Sequence, residues 1–181
     1  MGKSYPEIDS NLAKFIQQQH VFFVASAPLS EKGHINLSPK GLDSLRILGP
    51  RIVAYLDLIG SGVETIAHVK ENGRIVLMFC AFQGPPSVLR LHGRARVVRP
   101  SHPEFSKFAA QFSSYEGTRA IIVVDVTRIS TSCGYAVPLM KYEDERTQYS
   151  AWAQKKGPEG LKVYEREKNA RSIDGLAGLA E

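Results

Sequence analysis

The segment Gly60-Ser61-Gly62-Val63-Glu64-Thr65 joins a predicted strand to a predicted helix, and this arrangement can hold a phosphate. The first turn of a helix carries backbone N–H groups without intrahelical acceptors, and the helix dipole favours an anion there. The segment is neither a Walker loop nor a dinucleotide fingerprint, because no Gly-Lys-Ser/Thr follows and the next glycine is Gly73. An ordinary helix start, capped by Ser61 with Glu64 as a first-turn acid, explains the same residues equally well.

A lysine with a nearby hydroxyl ends another predicted strand, in Ser38-Pro39-Lys40-Gly41. Lys40 at this position can face a ligand with its positive charge. The alternative is a plain turn, because proline and glycine are common turn residues. From these residues alone the turn is the better supported of the two interpretations.

Arginines alternate along the predicted strand 87–98. Arg90, Arg94 and Arg96 share even positions with His92, so a strand places all four side chains on one face. This face can meet an anionic ligand or a partner subunit, or it can simply be solvated. The pattern supports the two interpretations equally.

Cysteine and histidine chemistry is poorly supported by the spacing of these residues. Cys80 lies inside an apolar strand pattern, and no basic group near Cys133 in sequence would activate its thiol. A disulfide between them is not favoured, and two isolated thiols do not make a zinc site. No ligand pairing links the five histidines, which are residues 20, 34, 68, 92 and 102.

The formal net charge is +5, from 23 basic and 18 acidic residues. The excess is +1 over residues 1–60, +3 over residues 61–118 and +1 over residues 119–181. Because no basic run or tail concentrates this charge, nucleic-acid binding is disfavoured. A contact between a nucleic acid and the face that carries Arg90, Arg94 and Arg96 is kept as a weaker alternative.

The longest apolar run covers residues 75–82, which is eight residues, whereas a membrane-spanning helix needs about 20. The N-terminal residues contain a lysine but no apolar stretch behind it, so no secretory signal is expected. We therefore predict a reduced, soluble, cytoplasmic protein that does not bind membranes.

The candidate residues are positioned by a predicted chain of strands with short helices inserted. The strands do not alternate regularly with helices, so a doubly wound parallel sheet is disfavoured, and a small barrel or closed sheet is expected. Ser101 and Glu104 match a capping box, and Asp9 suits the start of the first helix. Residues 172–181 are expected to be extended or loose. The predicted strands are 21–27, 34–38, 51–56, 74–82, 87–98 and 119–131, and the predicted helices are 8–19, 63–71, 101–112 and 145–169, the last broken at Gly157-Pro158.

Several of these segments, in this order and spacing, resemble the FMN-binding split β-barrel proteins related to pyridoxamine 5′-phosphate oxidase. The resemblance implies a mainly β protein with flanking helices, built on a six-stranded antiparallel Greek-key barrel. It also implies a two-fold homodimer with one FMN in each of two clefts between the subunits. The loop 132–138 resembles an uncharacterised bacterial and fungal branch of this family. The other resembling segments are 22–26, 34–41, 60–68, 72–79 and 89–95.

The resemblance assigns cofactor-binding roles to two groups of residues, and the charge of two arginines on the predicted strand 87–98 adds a third group. One strand is similar to the family strand that runs along the isoalloxazine and ends in a flavin-contacting lysine. A second segment is similar to the one that holds the ribityl phosphate, and two arginines supply further positive charge. These groups are, in turn, Asn36, Leu37, Ser38, Pro39 and Lys40; Leu58, Ile59, Gly60, Ser61, Gly62 and Thr65; and Arg90 and Arg94.

Two departures from the family pattern bear on function. Glu64-Thr65 stands where the true oxidase has Arg-Lys, and the family's C-terminal Trp and Arg motif is absent, because the single tryptophan is Trp152 in a helical segment. Oxidation of pyridoxamine 5′-phosphate is therefore not supported. We predict an FMN-dependent oxidoreductase of unknown substrate, with NAD(P)H or another reductant. The alternative is a non-catalytic flavin or haem carrier of the same fold. The expected organisation is a barrel domain over residues 1–145 and a helical extension over residues 146–181.

Overall fold

A computed structural model describes residues 2–179 as one antiparallel sheet of eight strands with four flanking helices. No helix within this range is long and apolar enough to cross a membrane. The strands are β1 Ser4–Tyr5, β2 Phe22–Ser26, β3 Asn36–Lys40, β4 Leu45–Gly49, β5 Ile52–Leu58, β6 Arg74–Cys80, β7 Val88–Val98 and β8 Thr118–Ser132. The helices are α1 Ser10–Gln17, α2 Glu64–Asn72, α3 Phe105–Ala109 and α4 Gln148–Lys168.

The sheet order is β3-β2-β6-β7-β8-β5-β4, and β1 pairs with β8. The expectation of six strands is therefore wrong, and so is closure, because β3 and β4 are the two ends of the sheet. The two extra strands carry little sequence signal. β1 has only two residues, and every residue of β4 is half-buried, so β4 lacks the alternation that marks a strand.

The third strand is displaced by two residues from its expected position, because it begins at Asn36 and ends at Lys40. Its predicted limits were 34–38, whereas the observed strand includes Pro39 and Lys40. A proline has no N–H to donate to a ladder and is tolerated on an edge strand. Because β3 pairs only with β2, Pro39 continues the strand instead of ending it.

The largest core cluster lies between the curled sheet, α1 and α2, and it includes Val24, Leu77 and Leu91, all with no exposed surface. A smaller cluster forms where α3 packs Phe108 against the opposite face of β5 and β8. In β5, alternate residues serve the two clusters: Tyr55 belongs to the first and Leu56 to the second. This two-sided burial explains why β5 has no polar face.

The ends of the helices show which capping and stop residues determine where each helix begins and ends. Asp9 caps α1 by accepting a hydrogen bond from the Leu12 N–H (2.8 Å), and Gly73 ends α2 in the left-handed region (φ 71°). The capping-box prediction is wrong, because α3 begins only after Glu104 and has no side-chain cap. The predicted break in the last helix is confirmed, because Gly157 interrupts α4 with φ 66° and ψ 170°.

Residues 172–179 were expected to be extended or loose; they form no helix or strand but are packed instead of loose, and residues 180 and 181 lie outside the described range. Ser172 and Leu179 are buried, and the Lys70 ammonium donates to the Gly178 carbonyl (2.7 Å). A Cβ at Gly178 would lie 2.5 Å from the Asn169 carbonyl oxygen, so only glycine allows this close packing. Burial of this segment against α2 outweighs its glycine content.

Candidate functional site

The candidate site is the region, here called the groove, where β3 with its free edge meets the segment that runs from the end of β5 into α2. The second edge of β3 has no strand partner among the described residues, so alternate backbone N–H and C=O groups there are free to bind a ligand. Asn36, Ser38 and Lys40 alternate with Leu37 and Pro39, and the first three point to the face shared with the core.

The first end of the groove is a network of polar side chains centred on Asn36. Its amide donates to the Thr65 hydroxyl (2.9 Å) and to the Ser26 hydroxyl (3.3 Å), and its amide oxygen accepts from Ser38 (3.1 Å). These bonds join β3 to α2. They also show that Asn36, Ser38 and Thr65, expected from the sequence to belong to one site, lie together.

The other end of the groove is an ion-pair cluster around Asp57, which has no exposed surface. The Lys40 ammonium lies 3.5 Å from one carboxylate oxygen, and the Arg119 guanidinium donates to the other at 2.8 Å. Arg119 also donates to the Gly62 carbonyl (2.8 Å). Neither Asp57 nor Arg119 was predicted from the sequence, although a charged residue inside an apolar strand is a usable signal, because buried charges must be paired.

The loop Gly60-Ser61-Gly62 is fixed through its carbonyl groups. The Asn169 amide donates to the Gly60 carbonyl at 2.9 Å, and Arg119 holds the Gly62 carbonyl. Within residues 2–179, the backbone N–H groups of residues 60–63 do not donate to any protein acceptor. The Ser61 side chain is exposed beside them. The loop therefore offers several donors and one hydroxyl to an anion.

The Glu64 carboxylate makes a contact with the C-terminal segment. One carboxylate oxygen accepts a hydrogen bond from the Ile173 N–H (3.0 Å), in the C-terminal segment. The helix begins after Val63, which makes no side-chain cap bond, so Ser61 is not the cap that the alternative interpretation required. The acid that replaces a basic residue of the family pattern thus fastens the C-terminal segment to this loop.

A buried histidine extends the polar network behind the groove. His68 has no exposed surface, and its Nδ1 lies 3.0 Å from the Ser26 hydroxyl, which also contacts Asn36. Burial lowers the pKa of His68, so the neutral imidazole is favoured. Its Nε2 atom and the Tyr55 hydroxyl are buried without a hydrogen-bond partner among the described residues.

The structure does not bring Arg90 and Arg94 to the groove. Arg90 is opposite Met78, Met78 is opposite Phe23, and Phe23 is opposite Pro39, so Arg90 shares the face of Pro39. Residues directly opposite each other in an antiparallel ladder point to the same face, and Lys40 points to the other one. Instead, Arg90 donates to the Ser132 hydroxyl (3.0 Å) and Arg94 to the Asn72 carbonyl (2.6 Å).

Two further residues expected to bind the cofactor, Leu58 and Ile59, pack against hydrophobic clusters. Ile59 is buried against Ala153 and Leu161 of α4, and its N–H donates to the Gly117 carbonyl (2.8 Å). Leu58 packs on the cluster around Phe108. Neither side chain is available to a ligand in the groove. By contrast, Leu37 is 62% exposed on the outer face of β3.

The same structure places no metal-binding cluster in the groove. Nowhere in residues 2–179 do three His, Cys, Asp or Glu side chains gather in a geometry that could hold an ion. Cys80 is buried and Cys133 is exposed, and both are free thiols.

The described residues form a mainly β protein with one open antiparallel sheet, flanking helices and a donor-rich loop before α2. A family model described as pyridoxamine 5′-phosphate oxidase matches residues 8–133. A curated relative, the pyridoxamine 5′-phosphate oxidase family protein ustO of Aspergillus flavus, is 36% identical over 97% of this chain and 77% of its own length. The chain therefore belongs to the pyridoxamine 5′-phosphate oxidase family.

Two solved structures show the same fold at low sequence identity. A variant of the HupZ protein of Group A Streptococcus aligns with a TM-score of 0.55 at 22% identity, over 69% of this chain and 99% of that one. A protein of Syntrophomonas wolfei, described as FMN-binding, aligns with a TM-score of 0.50 at 14% identity, over 70% of this chain and 83% of that one.

Proposed function

We propose that the protein binds FMN in the groove and acts as a flavin-dependent oxidoreductase of unknown substrate. The observation that carries the proposal is the free edge of β3, which ends in Lys40 and lies beside the unpaired N–H groups of residues 60–63. The membership in the family supports it, and so does the shared fold with a protein described as FMN-binding.

The residues present fit the two chemically different parts of FMN. The N–H groups of residues 60–63, with the Ser61 and Thr65 hydroxyls nearby, suit the phosphate. The edge of β3 suits the flavin ring, whose rim carries both donors and acceptors. When bound, FMN supplies hydride and electron transfer. The Lys40 ammonium supplies the positive charge at the end of β3, while Asp57 holds the position of this ammonium.

A second copy of the chain fits the uncovered outer face of the sheet. Leu37 is 62% exposed there, and Phe23 and Met78 are only half-buried. Arg90 stands at the end of this apolar row. An uncovered apolar sheet face is typical of a protein interface. In the proposed homodimer the arginine face lies towards the partner, so its charge serves the neighbouring subunit instead of its own groove.

One observation favours a second candidate, a flavin carrier without turnover. Lys40 is already paired with Asp57, and no arginine or lysine replaces the family's basic pair on the loop. Oxidation of pyridoxamine 5′-phosphate is not proposed for either candidate. The single tryptophan, Trp152, packs between Tyr149 and Tyr164 on α4 instead of occupying the C-terminal segment.

The test uses the purified protein mixed with FMN, freed of excess FMN and scanned by absorbance. The proposal expects a retained flavin spectrum at about one FMN per chain and a dimeric mass by light scattering. Consumption of NAD(P)H or another reductant separates the oxidoreductase from the carrier. A protein that retains no FMN and gains no thermal stability from it would contradict both candidates. A location in the cytoplasm remains a prediction.

A further inference from the structure

Four side chains form a continuous chain of hydrogen bonds from the groove into the protein. It begins at Ser38 on β3, passes through Asn36 and Ser26, and ends at His68 of α2. Exposure falls along this path, since Ser38 and Asn36 are half-buried, Ser26 is buried and His68 has no exposed surface. The inner end of the chain is therefore closed to solvent, while the outer end borders the groove.

The Asn36 amide gives this chain a direction. Its NH2 group donates to the hydroxyls of Thr65 (2.9 Å) and Ser26 (3.3 Å), which uses both amide hydrogens. Its carbonyl oxygen accepts the hydrogen of the Ser38 hydroxyl (3.1 Å). Because a hydroxyl has one hydrogen, the Ser38 oxygen has only lone pairs left for the groove. Towards a ligand, Ser38 is therefore an acceptor and not a donor.

His68 decides whether the chain runs in this direction. The Ser26 hydroxyl accepts from Asn36, and within residues 2–179 the acceptor that its own hydrogen reaches is Nδ1 of His68, at 3.0 Å. Nδ1 accepts this hydrogen only if the imidazole is neutral and carries its hydrogen on Nε2. A hydrogen on Nδ1 would reverse every bond of the chain and turn the Asn36 amide over, and Ser38 would then be a donor.

The surroundings of His68 favour the neutral ring. Burial lowers the pKa of His68 by more than the nearby carboxylates of Asp174, Glu64 and Glu71 raise it. Nε2 is buried without a partner among the described residues, and an unpaired buried polar atom reduces stability. An apolar side chain would avoid this loss, so the contact made by Nδ1 is the better reason for an imidazole at this position.

We propose that His68 is a positioning residue for the flavin, which acts through Ser26 and Asn36 to hold the Ser38 hydroxyl as an acceptor for a ring N–H. This inference rests on the proposed function, because it needs the flavin ring beside β3. The oxidised flavin ring has a single N–H, at N3, and the rest of its polar rim consists of acceptors. The Ser38 oxygen therefore selects N3–H, whereas the reversed chain would not bind this group.

The direction of the chain is tested on the full-length protein without flavin. Nitrogen-15 NMR of labelled histidine distinguishes a ring nitrogen that carries a hydrogen from one that does not. The His68 signals are identified among those of the five histidines with His68→Leu. At pH 7.5 the proposal expects a hydrogen on Nε2 and none on Nδ1. A hydrogen on Nδ1 would overturn it, whether or not the protein binds FMN.

The contact with Ser38 is tested by paired titrations with FMN and with 3-methyl-FMN, in which a methyl group replaces the N3 hydrogen. One neutral hydrogen bond corresponds to about fivefold in affinity, so the wild type is expected to prefer FMN by about this factor or more. Ser38→Ala is expected to bind the two flavins equally, while Ser106→Ala, which changes an exposed serine of α3, keeps the preference.

Two outcomes of these titrations would count against different claims. Equal binding of the two flavins by the wild type, or a preference that Ser38→Ala retains, would overturn the inference. If the wild type binds neither flavin, the proposed function is wrong and the role of Ser38 falls with it, while the NMR result still decides the direction of the chain.

Variants of the inner residues separate positioning from packing. His68→Leu removes the acceptor, and His68→Asn supplies an amide oxygen in place of Nδ1. The preference for FMN is expected to disappear in His68→Leu and to persist in His68→Asn. Because replacing a buried residue can unfold the protein, Ser26→Ala, which interrupts the chain, is measured as well and should reduce the preference. An unchanged preference in folded His68→Leu or in Ser26→Ala would overturn the inference.

Discussion

The Lys40 ammonium lies 3.5 Å from a carboxylate oxygen of Asp57, a residue with no exposed surface. The same carboxylate binds the buried Arg119, so one acid at the end of β5 pairs with two cations. Because Lys40 is the partly exposed member of this cluster, it alone can exchange its partner for a ligand. This relationship links the fold's stability to the proposed site.

Removing the Asp57 charge should strongly destabilise the protein. Asp57→Asn leaves the Arg119 guanidinium buried without its carboxylate, and breaking a buried ion pair in this way costs about 3–5 kcal/mol. Urea unfolding followed by circular dichroism measures the change. The matched control is Asp43→Asn, because Asp43 and Arg46 form an exposed pair, whose loss costs at most about 1 kcal/mol. Equal effects of the two substitutions would contradict the structural role given to Asp57.

Removing the Lys40 charge should weaken FMN binding without unfolding the protein. Hydrogen bonds to charged groups contribute about 1.5–3 kcal/mol, so Lys40→Met is expected to raise the FMN dissociation constant about tenfold or more. Quenching of flavin fluorescence provides the titration. Lys32→Met changes an exposed lysine in the turn before β3 and should leave the affinity unchanged. If Lys40→Met binds FMN as tightly as the wild type, the flavin ring does not lie at this end of β3.

Removing the Glu64 carboxylate should release the C-terminal segment. Glu64→Ala removes the acceptor of the Ile173 N–H, so amide hydrogen exchange at Ile173 is expected to accelerate about tenfold, as a lost charge-assisted bond implies. Glu64→Gln keeps an acceptor oxygen and should show a smaller effect.

The control for this release is Glu159→Ala, because Glu159 is highly exposed and its carboxylate pairs with Lys162 on α4. Unchanged exchange at Ile173 in Glu64→Ala would show that other contacts hold the segment. Those contacts are known: the Asp174 carboxylate accepts from the His34 N–H at 2.7 Å and contacts its imidazole at 2.6 Å.

The protein should lose stability as the pH falls below about 6.5. Burial lowers the pKa of His68 in the folded state, so the unfolded state binds a proton that the folded state excludes. For His68 the loss begins at the unfolded pKa and ends when the pH passes the lowered folded pKa, and this one group contributes a slope of at most about 1.4 kcal/mol per pH unit. Burial, together with Arg128 and Arg90, lowers the pKa of His92 in the same direction.

Urea unfolding between pH 7.5 and 5 measures this dependence. His68→Gln should reduce the slope and leave the part due to His92, while His102→Gln, which changes an exposed histidine, should keep the full slope. A slope that is the same in His68→Gln and the wild type would contradict the assignment of a buried neutral imidazole. Asp174 affects stability in a separate pH range. A hydrogen bond with His34 lowers the pKa of Asp174, so the stability that this carboxylate contributes is lost only in strong acid.

The features that could be predicted from the sequence are those determined by a few neighbouring residues. The Asp9 cap and the break at Gly157 depend on a few neighbouring residues, and both were predicted. β4 was missed because its residues are evenly half-buried, and Pro39 ended the predicted β3 because its edge position depends on the whole sheet.

The site was predictable only in part, for the same reason. Lys40, Ser38 and Thr65 came from the family resemblance and do lie along one groove. The position of Arg90 on the opposite face follows from the register of four strands, which the sequence does not reveal. The bond from Arg119 to Asp57 and the bond from Asn169 to Gly60 join residues more than 60 positions apart, and no local pattern indicates them.

The central claim is that residues 60–65 hold the FMN phosphate while the edge of β3 holds the flavin ring. A paired titration of the wild-type protein with FMN and with riboflavin, followed by flavin fluorescence, tests it most directly because the two ligands differ only in the phosphate. The account predicts saturable FMN binding and riboflavin binding at least tenfold weaker. Equal affinities for the two ligands, or no saturable binding of FMN, would contradict it.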